Sequence, residues 1–110
     1  DYSTGKVWFK GCGYEGIGDN STYYLSNNIK INVNWWGLNA NSTRKITLPT
    51  GLYKSRVLPP IVCSYVTGGD YNTYSTSNRV AVLHWDLSSV TLANYDSSKH
   101  ARIILWTIGE

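Results

Sequence analysis

Along residues 29–36 (IKINVNWW), apolar and polar positions alternate with period two. Ile29, Ile31, Val33 and Trp35 point one way and Lys30, Asn32 and Asn34 the other, which predicts a β-strand. The simplest cause of such alternation is a solvated face opposite a buried one, so the lysine and the asparagines are expected outside. Two further segments, 61–67 (IVCSYVT) and 79–86 (RVAVLHWD), also read as strands, as do 6–10 (KVWFK), 45–48 (KITL) and 88–95 (SSVTLANY). Segment 101–108 (ARIILWTI) is apolar on both faces: Ala101, Ile103 and Leu105 on one, Ile104, Trp106 and Ile108 on the other. A sandwich strand needs one apolar face only, so something must cover the second, and a neighbouring subunit is the natural candidate.

Between these strands the chain turns polar. Residues 11–28 are rich in Gly and Asn and predict a loop with one short strand near 23–25, and 37–44 predict another loop. The stretch 49–60 (PTGLYKSRVLPP) is irregular, because its prolines and Gly51 resist regular ladders. No segment of ten residues or more shows helical spacing with good helix formers. The prediction is an all-β fold: a compact antiparallel β-sandwich of six to seven strands, assembled as an oligomer. The 110 residues allow one domain, spanning 1–110. A start at Asp1 and a chain without methionine predict that a longer polypeptide precedes it.

Composition sharpens this. Charged residues are 15% of the chain, while aromatics reach 14%, with five Trp and nine Tyr against one Phe. Trp and Tyr join a large apolar body to a polar tip, which suits half-buried positions and surfaces that meet a partner. The net charge of +3 is unevenly placed: Lys30, Arg44, Lys45, Lys54 and Arg56 fall in the stretch between Asp19 and Asp70, which holds no acid. Either they share a face that could hold an anionic polymer or sugar, or they are scattered solvated positives. No nucleic-acid motif accompanies them, so nucleic acid is not an expected partner. Nor does any apolar run have membrane length. Cys12 and Cys63 could pair or could each be a small buried apolar residue, and no Cys/His spacing suggests a metal. No cofactor is expected.

Residues 68–78 (GGDYNTYSTSN) make a connection about twice as long as a tight hairpin needs. Sugar recognition calls for a flat aromatic face, planar polar groups that address vicinal hydroxyls, and a modest desolvation cost. Asp70, Tyr71, Asn72 and Tyr74, with Arg79 at the exit, place these ingredients within ten residues. The same residue types are ordinary turn formers, and loop tyrosines often pack on their own domain. His84 and Asp86 share a strand face, but no nucleophile elbow accompanies them, and acids at Asp70, Asp86 and Asp96 form no defined glycosidase pair. A non-catalytic binder is expected.

The order of a Pro59–Pro60–Ile61–Val62 strand, a long polar loop, Asn78–Arg79–Val80 opening a strand, and a closing Trp106–Thr107–Ile108–Gly109 resembles the H-type lectin domain. Its ending is more similar still to the C-terminal knobs of bacteriophage tail fibres. That resemblance covers roughly residues 45–109 and implies a trimeric β-sandwich that binds a host cell-surface glycan or protein, on the virion or outside the cell. It implies that Arg79 lies beside bound sugar. Where the lectins place a Trp-His pair, this chain has Asn94 and Tyr95. Tyr95 can stack on a sugar, but without the histidine the resemblance does not carry N-acetylgalactosamine specificity. A secreted lectin or carbohydrate-binding module, and a structural trimerisation or capsid-decoration domain, are the alternatives.

Overall fold

The computed structural model of the chain describes residues 6–9, 12–17, 20–65 and 80–110. Its strands are β1 (Lys6–Phe9), β2 (Cys12–Ile17), β3 (Asn20–Tyr24), β4 (Lys30–Leu38), β5 (Ser42–Thr47), β6 (Ile61–Tyr65), β7 (Val80–Trp85), β8 (Ser89–Asn94) and β9 (Ala101–Gly109). They form two antiparallel sheets, one ordered β1-β2-β3-β4-β9-β6 and one ordered β5-β8-β7. The seven strands from β3 onward make the expected all-β sandwich, and the β1–β2 hairpin widens its larger sheet.

Residues 11–28 hold more strand than expected: β2 and all of β3 lie there, paired in register from Gly13 against Tyr24 to Ile17 against Asn20. Glycine and asparagine have weak strand propensity, so the ladder with neighbouring strands decides. The same correction applies to 37–44, where only residues 39–41 separate β4 from β5. Asn41 takes φ 50 at that turn, a left-handed value asparagine tolerates. The turn carries the chain from one sheet to the other.

The core lies between the sheets and joins Leu38, Ile46, Leu48, Leu52, Tyr53, Val90, Leu92, Ala101, Ile103 and Leu105. Strand β9 supplies its last three members from alternate positions, as the sequence pattern predicts. Opposite it, β4 reverses the expectation. Asn32 and Asn34 are 0% and 1% exposed, on the face turned inward, while Trp35 is 38% exposed on the other. Period two tells that the faces differ, not which one is wet.

The buried asparagines are tolerated because they are satisfied. Asn32 Nδ2 donates to Asn20 Oδ1 (2.7 Å) and Thr22 Oγ1 (2.8 Å), and Asn34 Nδ2 donates to Asn32 Oδ1. Thr22, Asn32 and Thr107 are neighbours across three strands, and the irregular segment 49–60 closes over this polar row. From that segment, the Tyr53 hydroxyl donates to the Thr107 carbonyl at 2.8 Å, and Lys30 Nζ donates to the Leu52 carbonyl at 2.9 Å. Burial pushes the Tyr53 phenol above its ordinary pKa, against the opposing pull of its hydrogen bond with Thr107.

The sheet order also settles the cysteines. Four strand spacings separate β2 from β6, about 19 Å, whereas a disulfide needs Cα atoms within about 7 Å. Cys63 is a free thiol.

Candidate functional site

One end of the sandwich gathers the connections. Leu38 pairs with Ala101, Tyr65 with Arg102, and Ser42 and Val80 both with Asn94. The turn 39–41, the segment 95–100 and both strand ends that bracket residues 66–79 therefore meet there. Asp70, Tyr71, Asn72, Tyr74 and Arg79 lie outside the described residues. Tyr95 lies within them, 55% exposed at this end.

Asn94, beside Tyr95, is a structural residue. Its Nδ2 donates to the carbonyls of Leu38 (3.3 Å) and Lys99 (3.0 Å), and its Oδ1 accepts from the Asp96 N–H at 3.0 Å. The Asn41 N–H in turn reaches the Asp96 carbonyl at 2.8 Å, which ties the two connections together. Tyr95 is thus presented from a fixed platform.

Beside this platform stands an arrangement that spans the two sheets. Arg44 leaves β5 toward the facing sheet and places its guanidinium 4.4 Å from the centre of the Trp36 ring. Arg44 Nη1 donates to the Gly37 carbonyl at 3.0 Å. A cleft of about 160 Å³ opens there, lined by Gly37, Leu38, Asn39, Ser42, Thr43 and Arg44. Both Arg44 and the double tryptophan stand out in the sequence, but their meeting depends on which faces of β4 and β5 turn inward. Adjacent on β4, Trp35 and Trp36 point to opposite faces: Trp36 packs against the core and Trp35 lies outside.

The five cations of the central stretch do not share one surface. Lys30 is turned in to Leu52, Arg56 pairs with Glu110 at 2.8 Å near the opposite end, and Lys45 is on the other face of β5 from Arg44. They read as separate charges, so no continuous track for a polyanion forms among them.

At the opposite end, His84 Nε2 lies 3.4 Å from Asp86 Oδ2, both exposed. Asp86 Oδ1 is occupied by the hairpin itself, accepting from the N–H groups of Ser88 (2.9 Å) and Ser89 (2.8 Å) and from the Ser88 hydroxyl. Those donors, the Ser88 N–H first, hold the Asp86 carboxyl well below the usual carboxylate range. Asp96 is lowered in the same way by the N–H groups of Ser98 and Lys99. Among the described residues no group of three His, Cys, Asp or Glu side chains gathers for a metal, and no helix is long and apolar enough to cross a membrane.

These two turn carboxylates predict an acid dependence. Their folded pKa values lie below the unfolded value of about 4, so the unfolded chain takes up protons first as pH falls. Their contribution is full above about pH 4 and drains away below it. The stability penalty of Asp86→Ala or Asp96→Ala, measured by denaturant titration, should be full at pH 6 and smaller at pH 3, fading further as pH approaches the lowered folded values. Equal penalties at the two pH values would contradict the assignment.

The remaining distinctive surface is the outer face of the larger sheet. Registered side by side are Tyr23, Ile31 and Ile108, then Ser21, Val33, Trp106 and Ile61, then Trp35, Ile104 and Cys63. Ile61 is 59% exposed and Trp106 40%. Arg102 is the one charged side chain described on this face of β3, β4, β9 and β6. No described element covers it.

The fold and these surfaces define an all-β sandwich with a connection-rich polar end and an apolar sheet face that no described element covers. Comparison of the chain with protein-family models, with characterised proteins and with solved structures finds no match to any of them.

Proposed function

We propose that this domain is a non-catalytic attachment module: a homotrimeric knob of the phage tail-fibre kind that holds its connection-rich end against a host-surface glycan or protein. The observation that carries the reading is the apolar outer face of the larger sheet, with Arg102 its one described charge, on a sandwich that has its own core between the sheets. Four strands at about 4.8 Å and some seven residues at about 3.3 Å give a patch of roughly 400 Å². That is on the order of half of what each partner buries in a standard interface, about 800 Å², so it suits the apolar centre of a subunit contact.

Burying this face in a trimer leaves the end bearing Tyr95 and the strand ends around residues 66–79 free to meet a receptor. Three such sites on one particle raise avidity well above the affinity of each. The residues assigned to contact are Asp70, Tyr71, Asn72, Tyr74, Arg79 and Tyr95, for the sugar-recognising chemistry given above. The location is the virion or the extracellular space.

The test is binding of the purified protein to whole bacterial cells and to an array of surface polysaccharides. The triple variant Asp70→Ala, Tyr71→Ala, Tyr74→Ala should lose at least about tenfold in apparent affinity while keeping its melting temperature and oligomeric state. A trimer that binds no cell and no glycan would sink the attachment role and leave a structural trimerisation domain.

A further inference from the structure

We infer that Arg44, clasped over Trp36 at the open edge of the sandwich, forms a site for the carboxylate of an acidic saccharide. This inference deepens the attachment reading and rests on it for the class of ligand.

The argument starts from the orientation of the guanidinium. Arg44 shares a face of β5 with Ile46, a core residue, and pairs in register with Leu92, which is fully buried. An arginine on such a face must either be neutralised inside or escape at the edge. It escapes: the side chain is exposed, and its planar head lies on the Trp36 ring of the facing sheet. Stacking fixes the plane of the fork, and the Nη1 hydrogen bond to the Gly37 carbonyl fixes its rotation within that plane. A side chain held by these two contacts loses little further freedom on binding.

Its charge is uncommitted among the described residues. The ion pair there joins Arg56 to Glu110, and His84 lies against Asp86, both at the other end. Asp96, on the adjoining connection, accepts through its Oδ1 from the N–H groups of Ser98 and Lys99, and no ion pair joins it to Arg44 among the described residues. The remaining N–H groups of the Arg44 fork match a planar carboxylate, which accepts two parallel hydrogen bonds.

The surroundings suit a sugar acid better than a bare ion or an apolar ligand. Asn39, Ser42 and Thr43 supply amide and hydroxyl groups around the cleft. Its volume, about 160 Å³, is well short of the roughly 300–1,000 Å³ of a pocket that engulfs a small molecule. It can take a charged substituent and one edge of a pyranose, with the rest of a chain running over the surface. Tyr95 is exposed at the same end, tied to this turn through Asp96 and Asn41, and offers a stacking face for a following ring.

The experiment titrates the protein with D-glucuronate and with D-glucose, following the Arg44 Nε–H and the amides of Gly37, Asn39 and Ser42 by NMR. Glucuronate should shift these signals saturably, weakening as salt is added, while glucose should leave them in place. Arg44→Gln should weaken glucuronate by at least about tenfold, and Arg44→Lys should fall between, since it keeps the charge and loses the fork. Asn39→Ala, at an exposed turn position, gives a second variant that leaves the Trp36 clasp intact, and it should lower affinity severalfold.

Equal shifts with glucose, or an unchanged glucuronate titration in folded Arg44→Gln, would overturn the site and leave the clasp as a purely structural contact. The array separates this from the attachment reading. Neutral glycans bound equally by the parent and Arg44→Gln would keep attachment and discard the acidic-sugar site. Glucuronate binding lost in Arg44→Gln, with no cell or polymer bound, would do the reverse.

Discussion

Gly109→Ala should unfold the domain or leave it only marginally stable. A Cβ at this position would sit 2.7 Å from the Tyr53 ring and against the Arg56 carbonyl, which is backbone. Neither neighbour can yield cheaply. Tyr53 is anchored through its hydroxyl to Thr107, and Arg56 is held on both sides, its N–H donating to the Glu110 carbonyl (3.0 Å) and its carbonyl accepting from the Glu110 N–H (2.8 Å). The same Glu110 carbonyl also accepts from the N–H groups of Lys54 (3.2 Å) and Ser55 (2.8 Å).

Overpacking alone costs about 1–3 kcal/mol, and displacing the 54–56 segment would break hydrogen bonds of about 1 kcal/mol each. The expected loss is therefore about 3 kcal/mol or more, a large share of what a domain of this size has to spare. Gly51 is the internal control. It has φ 70 with open space around it, so Gly51→Ala should cost only the left-handed penalty of about 1–2 kcal/mol. Denaturant midpoints of the two variants should differ clearly. A Gly109→Ala protein as stable as the parent would mean the 49–60 segment is free to lift.

The second large effect concerns assembly. Trp106→Glu together with Ile61→Glu places two adjacent carboxylates on the outer sheet face, on β9 and the edge strand β6. Both side chains are substantially exposed within the single chain, so folding should change little. Burying unpaired charges in a subunit contact, by contrast, costs several kcal/mol. Sedimentation velocity should show the parent as a trimer at micromolar concentration and the variant as a monomer. Cys63 gives an independent readout, because it lies on the same face, across from Ile104. In a Cys12→Ser background its thiol should react slowly with a soluble disulfide reagent, and quickly once the glutamates are introduced. A monomeric parent with a fast-reacting Cys63 would rule out this face as the subunit contact.

How far the sequence could be read follows from the type of signal. The strands β6, β7, β8 and β9 were legible because apolar residues run densely there and Gly, Pro and Asn punctuate them. The double-sided character of β9 was legible too, and its Ile104, Trp106 and Ile108 do lie on the outer face. Strand β2 was not, and β3 only at its end near Tyr23 and Tyr24, because Gly13, Gly16, Asn20 and Ser21 have poor intrinsic propensity and are recruited by their neighbours. The inward turn of Asn32 and Asn34 was hidden for another reason. Their burial depends on Thr22, Thr107 and Tyr53, residues distant in the chain that no periodicity connects.

The same distinction holds at the candidate site. Tyr95 could be picked out by position, and Arg44 and Trp36 by residue type. Their joint placement could not, because it needs the three-residue turn 39–41 that carries the chain between sheets, where a longer loop was expected. The sequence carried the chemistry; the crossing supplied the geometry.

The position of β9 in the sheet bears on how the protein is made. It is the last strand in sequence, yet it lies between β4 and β6 and pairs with both. A ribosome therefore releases β3, β4 and β6 before the strand that joins them exists, and the contacts that complete the core span most of the chain. Such non-local pairing is slow, and the unfinished sheet presents open edges and apolar faces meanwhile. Folding of this domain should begin only after β9 has left the exit tunnel, which makes a chaperone a natural companion of its synthesis.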